Sequence, residues 1–389
     1  MTFKRGNAFS VIAKPVGSNC NMNCRYCYYL EKGKFSSNEK QTRMKMSLLE
    51  KLIKQTINSN PGPVVSFVWH GGEPTLAGLD FYKQAVLFQK KYLRPGMEVW
   101  NNLQTNGMLI NEQWCRFLKE NRFDVGLSID GDMITHDTNR IDKGGNPTHA
   151  KVIKAAELLS EYGIKADLLC TVNAQTLKDP LGVYDALRKL DTGWIQFIPV
   201  IVVDEMGNVD PISVTPEGYG EFLIKVFDEW VRHDLGRLDV QLFAEMAKIK
   251  AGGTAGVCYL AKTCGRVLVA EEDGSIYACD HFVDGEHRLG NLAGGDIGEF
   301  ANSSFQTKFG LDKRDKLTGE CKKCPYLSYC SGGCPKDRFS KSIDGEEGQY
   351  YLCKGLKMFF EHADPILRQI MRLSRRGLSS DKIMEELNK

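Results

Sequence analysis

The chain has 389 residues, a formal net charge of +2, and 42% hydrophobic against 26% charged residues. That length admits two domains, or one large domain with an appendage. The near-neutral charge gives no basis for a nucleic-acid or anionic-membrane partner, and no apolar run reaches the ~20 residues that cross a bilayer.

The N-terminal MTFKRGNAFSVIAKPVG lacks an apolar h-region and a small-residue cleavage site, so a cytoplasmic location is expected. Strand-like stretches follow in order: SVIAKPV (10–16), PVVSFVWH (63–70), EVWNNLQ (98–104), DVGLSI (124–129), ADLLCTV (166–172) and WIQFIPV (194–200). Amphipathic helical patterns separate them. SLLEKLIKQTIN carries Ser47 and Glu50 as a capping-box signature, and HAKVIKAAELLSEYG stops at Gly163. Six strands, each followed by a helix, predict an α/β fold with a parallel sheet wound in one direction. Fewer than eight units predicts an open, partial barrel.

From 201 to 216 the pattern breaks into IVVDEMGNVDPISVTP, a loop, and GYGEFLIKVFDEWVRHDLG closes the first domain as a helix. The last third changes to short hairpin signals, with Asp273-Gly274 as the turn of RVLVAEEDGSIYACD, and to dense cysteines. The expected division is a barrel over 1–235, a linker or helix over 236–257, a cysteine-rich domain over 258–360 and a helical tail over 361–389. Distinctive short sequences follow the strand ends: CNMNCRYC, GGEP, TNG and DG. In parallel α/β folds that face carries the chemistry.

Thirteen cysteines in a reducing compartment point to metal ligation or reactive thiols rather than disulfides. Cys20, Cys24 and Cys27 offer three thiolates from one loop. A four-iron, four-sulfur cluster has four irons, each taking one external ligand. Three protein thiolates leave one iron open, and an open position is where a substrate or cofactor binds. The competing reading is a zinc loop completed by a distant His or Cys, although zinc favours CxxC pairs at a distance.

CNMNCRYC resembles the CxxxCxxC signature of the radical S-adenosylmethionine (SAM) enzymes, and Tyr26 before the third cysteine fits that pattern. The resemblance implies a partial (β/α)6 barrel of TIM type, and an open iron that chelates the amino and carboxylate groups of SAM. One-electron reduction would then cleave SAM to methionine and a 5′-deoxyadenosyl radical. Gly71-Gly72-Glu73-Pro74 follows the second strand as the family's GGEP motif would. Glycines admit a close backbone approach to an ammonium and Glu73 adds a charge-assisted acceptor, while GG and EP also suit a plain turn. Ser128 in SIDG and Arg140 in HDTNR resemble the family's contacts to the SAM ribose and carboxylate, an arginine offering a bidentate fork. Taken alone they read equally as a satisfied loop residue and a surface cation. By the same resemblance Ile201 would border the adenine.

Eight further cysteines lie between 258 and 353, enough to saturate two clusters. CKKCPYLSYCSGGCP resembles the core of a SPASM domain, the auxiliary-cluster extension of peptide-modifying radical SAM enzymes. That topology implies Cys258, Cys264, Cys279 and Cys334 on one [4Fe-4S] cluster, and Cys321, Cys324, Cys330 and Cys353 on another, three clusters in all. By count alone, two four-cysteine zinc sites are equally permitted. Cys115 and Cys170 lie among apolar neighbours and read as buried thiols.

Cys279 is followed by Asp280 and His281. KPVGSNCNMNCRYCYY, WHGGEPTLAG, LQTNG, LSIDGD, IQFIP, CYLAKTCG, CDHF and CSGGCPKDR together resemble the anaerobic sulfatase-maturating enzymes. In that family an Asp after this cysteine is the general base, because a thiol or hydroxyl must lose a proton once its β-carbon has lost a hydrogen atom. Otherwise Asp280 reads as a turn cap, and His281 is left unassigned. The resemblance implies oxidation of a Cys or Ser in an unfolded sulfatase segment to formylglycine, a monomer, and an electron donor such as flavodoxin or ferredoxin. The alternatives are another SPASM peptide modifier, such as a thioether-forming maturase, and a non-enzymatic iron–sulfur electron carrier.

Overall fold

The computed structural model describes residues 7–29, 32 and 43–388. Its main strands are β1 (Ser10–Ala13), β2 (Val64–Trp69), β3 (Glu98–Thr105), β4 (Phe123–Ser128), β5 (Asp167–Val172), β6 (Trp194–Pro199), β7 (Asp239–Val240), β8 (Val267–Ala270), β9 (Ser275–Tyr277) and β10 (Arg288–Asn291). The first seven helices are α1 (Met46–Ser59), α2 (Leu79–Tyr92), α3 (Glu112–Glu120), α4 (Met133–Asn139), α5 (His149–Glu161), α6 (Pro180–Arg188) and α7 (Pro216–His233). The six expected strands all form, and the fold is the α/β partial barrel of the radical SAM type, followed by the cysteine-rich region and its helices.

The chain divides into two compact units. The first takes in Met1–Ser128, Arg140–Ala166 and Cys264–Asp312; the second takes in Ile129–Asn139, Asp167–Thr263 and Lys313–Lys389. In the first unit β1, β2, β3 and β4 pair in parallel. Their buried faces alternate, as in the iBiBiB pattern of β2. Against them α1 lays Leu49, Leu52, Ile53 and Ile57, all fully buried at helical spacing. The free edge of β1 is taken by β8, again parallel, with Val11 opposite Leu268 and Ala13 opposite Ala270. Strand β9 turns back antiparallel to β8 through the Asp273-Gly274 turn, where Gly274 has φ +83°. Strand β10 adds to β9, also antiparallel. A hairpin from the last third of the sequence thus extends the sheet begun by its first strand.

Two local expectations are corrected. Strand β1 ends at Ala13 rather than 16, because Pro15 has no N–H to continue a ladder and the chain turns, Gly17 N–H bonding the Lys14 carbonyl at 3.2 Å. Helix α1 starts at Met46 with Lys45 as an uncapped N-cap residue, so Ser47 lies inside the first turn. Glu50 instead accepts from Lys91 and the Tyr92 hydroxyl, both at 2.7 Å.

In the second unit β5, β6 and β7 pair in parallel. Thr215 caps α7 by accepting from Gly218 N–H at 3.1 Å. The long helix Cys353–Arg375 crosses α7 where Gly220 meets Gly355, and a Cβ on Gly355 would overlap the Pro216 carbonyl. Beside that crossing, the rings of Phe227, Phe243 and Phe359 pack with centroids 5.0 to 5.7 Å apart. Cys115 and Cys170 are fully buried. Among the described residues no helix is long and apolar enough to cross a membrane.

Candidate functional site

The three-cysteine loop follows β1 directly and is shaped by contacts with the loop after β2. Gly72 N–H bonds the Gly17 carbonyl at 2.7 Å and Glu73 N–H bonds the Asn19 carbonyl at 2.9 Å. A Cβ on Gly72 would overlap the Asn19 carbonyl. The second glycine of GGEP therefore lets two loops touch. Glu73 is 1% exposed, and burial raises its pKa. Its Oε1 accepts from Thr75 N–H at 3.0 Å and from the Thr105 hydroxyl at 2.8 Å, and its Oε2 accepts from Asn106 N–H at 2.8 Å. One carboxylate thus ties the GGEP loop to the TNG loop.

Asn106 continues the chain of contacts. Its side-chain amide donates to Asn21 Oδ1 at 2.8 Å and reaches Cys20 Sγ at 3.7 Å, while Met22 N–H reaches the same sulfur at 3.4 Å. Burial pushes the Cys20 thiol up to about 11, so a bound cation is needed to hold it as thiolate at neutral pH. Tyr26 lies under the Arg140 guanidinium, 5.6 Å from ring centroid to carbon. Ser128 Oγ, at the end of β4, accepts from Gln104 Nε2 at 3.2 Å. Tyr26, Gly72, Glu73, Ser128 and Arg140 belong to the same unit as the three cysteines. Ile201, buried just beyond β6, belongs to the second.

Asp280 also belongs to the first unit, because β8 pairs with β1. Its carboxylate accepts from the Tyr28 hydroxyl, a residue 252 positions away and next to Cys27. It also pairs with Lys14 Nζ at 2.5 Å. Lys14 is fully buried and lies 3.4 Å over the Tyr29 ring, and the Tyr29 hydroxyl donates to Glu271. Burial alone would raise the Asp280 carboxyl, but the Lys14 ammonium beside it holds it well below the usual carboxylate range. Burial, with Lys14 beside it, pushes the His70 imidazole down to about 4. That ring is neutral at pH 7, and Gly71 N–H donates to its Nδ1 at 2.7 Å. Burial pushes the Glu271 carboxyl up to about 8, against the opposing pull of Lys14 and Tyr29. Side by side, then, are an ionised carboxylate, a buried ammonium and a carboxyl that keeps its proton at neutral pH. His281 packs its ring against Tyr28, with centroids 5.5 Å apart.

In the second unit Cys321, Cys324, Cys330 and Cys353 line one pocket, otherwise walled by groups such as Tyr326, Tyr350 and Phe360. Burial pushes the Cys330 thiol up to about 11 and the Cys353 thiol up to about 12. Gly333 N–H bonds the Cys330 carbonyl at 2.8 Å. Gly332 has φ +74°, and a Cβ there would overlap Leu317. Four thiols around one pocket, among aromatic and aliphatic walls, suit an inorganic cluster. Among the described residues no three His, Cys, Asp or Glu side chains are grouped as a site for a single metal ion. Cys258 and Cys334 belong to this unit too, and burial, then Asp337 and Cys258, push the Cys334 thiol up to about 12. Cys264 and Cys279 belong to the first unit.

Sequence reasoning passed over Lys14, Glu271, Tyr28 and Gln349, and marked Asn106 only as part of the TNG motif. Lys14 carried a usable signal: a cation inside the apolar run SVIAKPV is bound for burial and needs a partner. The others carried none that spacing could reveal.

The Radical SAM superfamily profile matches residues 15–187, and that of the SPASM iron-sulfur cluster-binding domain matches 244–325. The chain is 41% identical to the serine-type anaerobic sulfatase-maturating enzyme of Bacteroides thetaiotaomicron, over 92% of this chain and 90% of that one. It is 36% identical to the cysteine-type enzyme of Clostridium perfringens, over 92% and 97%. Among solved structures, native anSMEcpe with bound AdoMet and Cp18Cys peptide superposes with a TM-score of 0.84 at 35% identity, covering 93% of this chain and 99% of that one. Identity of this level along nearly the whole length is not a shared barrel alone: the chain belongs to the radical SAM superfamily, within the family of anaerobic sulfatase-maturating enzymes.

Proposed function

We propose that this protein oxidises a Cys or Ser side chain in a sulfatase-derived peptide to Cα-formylglycine. For Ser the overall change removes a hydrogen atom from the β-carbon, a proton from the hydroxyl and one further electron, giving the aldehyde. For Cys the same losses give a thioaldehyde, which water hydrolyses to the aldehyde with release of H₂S. Cys20, Cys24 and Cys27 would hold the SAM-binding [4Fe-4S] cluster. Cys321, Cys324, Cys330 and Cys353 would hold one auxiliary cluster, and the family resemblance assigns Cys258, Cys264, Cys279 and Cys334 to the other. When bound, these groups supply the electron that cleaves SAM to methionine and the 5′-deoxyadenosyl radical, and an acceptor for the electron the substrate gives up.

The chain's own residues do the rest. Glu73 fixes the loops that carry Cys20 and Asn106, and Arg140, held over Tyr26, offers a guanidinium to a SAM carboxylate. Ser128 is a candidate for the ribose, Gly72 keeps the backbone close, and Ile201 is a candidate for the adenine. Asp280 is the base. The observation that carries the reading is its location: an ionised carboxylate beside Tyr28, one residue from the third cysteine of the loop, with Lys14 keeping it deprotonated. A soluble one-electron donor of the flavodoxin or ferredoxin class would reduce the first cluster.

The test is an anaerobic incubation with SAM, a reductant and sulfatase-derived peptides bearing Cys or Ser, read by mass spectrometry for the aldehyde. Replacing Asp280 with Asn should lower aldehyde formation by at least ~100-fold, the usual worth of a general base, while SAM is still cleaved. Wild-type aldehyde yield from that variant would refute the base assignment, and absence of SAM cleavage by the wild-type protein would refute the enzyme.

A further inference from the structure

The cavity lined by Cys321, Cys324, Cys330 and Cys353 has a polar side chain built into its wall. Gln349 is 4% exposed and ends the short strand Glu347–Gln349. Its Nε2 is 3.0 Å from Cys353 Sγ, and its Oε1 is 2.6 Å from the Thr318 hydroxyl. The Thr318 hydroxyl donates to Gln349 Oε1, and its Oγ1 accepts from Cys321 N–H at 3.2 Å. The NH₂ end is thereby turned toward Cys353. Cys321 Sγ, 3.4 Å from the same Oε1, gives up its proton on becoming a ligand, and Thr318 still holds the carbonyl.

We propose that Gln349 is a positioning residue that raises the reduction potential of the auxiliary cluster on Cys321, Cys324, Cys330 and Cys353 by donating an N–H···S bond to Cys353. The proposal rests on those four cysteines holding a cluster. A cluster with four thiolate ligands becomes more negative on reduction, and a fixed donor at one sulfur stabilises the reduced state more than the oxidised one. The donor to Cys353 is a side chain, which a substitution removes.

The experiment is an EPR-monitored redox titration of anaerobically reconstituted full-length protein. It is run also with Cys20, Cys24 and Cys27 all replaced by Ala, which leaves only the auxiliary signals. Gln349→Leu should shift one auxiliary midpoint to lower potential and leave the other in place, with iron and sulfide per chain unchanged. Gln349→Glu keeps the size and the Thr318 contact, exchanges the donor for a carboxylate, and should shift the same midpoint further down. Unmoved midpoints in iron-replete Gln349→Glu protein overturn the proposal alone. Iron and sulfide that do not fall in a Cys321→Ala, Cys353→Ala protein overturn the ligand set, and the proposal with it.

Discussion

Lys14 is the residue whose loss should report most directly on how the base works. It is fully buried, 2.5 Å from an Asp280 carboxylate that is 15% exposed, and its Nζ lies 3.4 Å over the Tyr29 ring. Lys14→Met keeps the length of the stem and removes the charge. Breaking a buried ion pair by removing one partner costs ~3–5 kcal/mol, because the remaining charge is left uncompensated. The variant should therefore unfold at lower temperature at neutral pH. The sign with pH follows from the direction of the Asp280 shift. A carboxylate whose folded pKa is depressed adds stability above its unfolded value of ~3.9, and that stability is lost as pH falls through the folded value. Without Lys14 the depression disappears and burial pushes the carboxyl upward, by about 1–3 pH units for an opposite charge this close. The acid limb of aldehyde formation should move to higher pH by that amount. Aldehyde and cleaved SAM are to be quantified in the same anaerobic reactions between pH 4 and 8. The expected result is SAM cleavage that persists while aldehyde falls, most severely at the acid end. A Lys14→Met protein that is folded and iron-replete, with a wild-type pH profile, would refute the reasoning.

Two further outcomes follow from the same geometry. Glu271, pushed up to about 8 by burial, is protonated at neutral pH. Its folded pKa lies above the unfolded ~4.3, so its contribution to stability is full below that value and is lost as pH rises through about 8. Relative to wild type, Glu271→Gln should gain thermal stability steadily as pH rises from about 4 to 9; a relative loss over that range would contradict the assignment. Gly72→Ala would drive a methyl group into the Asn19 carbonyl and separate the GGEP loop from the three-cysteine loop. The expected loss is one cluster's worth of iron and sulfide and all SAM cleavage, with the auxiliary EPR signals retained. Full iron and normal SAM cleavage would show that the close approach is dispensable.

Much of the fold was legible because it is periodic. The six strands could be placed from alternation and β-branched content, and the face that carries chemistry from the short motifs after their ends. The three cysteines were legible because ligand number is itself a chemical statement. What spacing could not give is adjacency between distant segments. Asp280 is 252 residues from Tyr28, and only the pairing of β8 with β1 carries it there. The sequence showed the hairpin but not the edge it would join, since an edge strand carries no mark of its partner beyond a hydrophobic face. Glu73 illustrates a different limit. Its motif suggested a contact to a ligand ammonium, yet the structure gives its two oxygens donors from Thr75, Thr105 and Asn106. A carboxylate so held acts first on the protein, fixing the loop that carries Cys20, whatever it goes on to meet.

The same distinction decides what Lys14 is for. A buried ammonium is costly, and an apolar residue could fill its space. Its retention beside Asp280 is explained if the carboxylate must be ionised before substrate arrives, in a place where burial would otherwise keep it protonated. The neutral His70 cannot do this at pH 7. Glu271, bonded to Tyr29 beneath the ammonium, competes for Lys14 only if it ionises, and with its carboxyl pushed up to about 8 it is mostly protonated at pH 7. A protonated Glu271 therefore leaves the whole charge of Lys14 to Asp280. The argument predicts an order among variants. Removing Glu271's proton-binding capacity with Gln should leave aldehyde formation intact at pH 7, whereas removing the charge of Lys14 should not. If both variants lose aldehyde formation equally while remaining folded, the four groups act as one unit and the division of labour between ammonium and carboxyl is wrong.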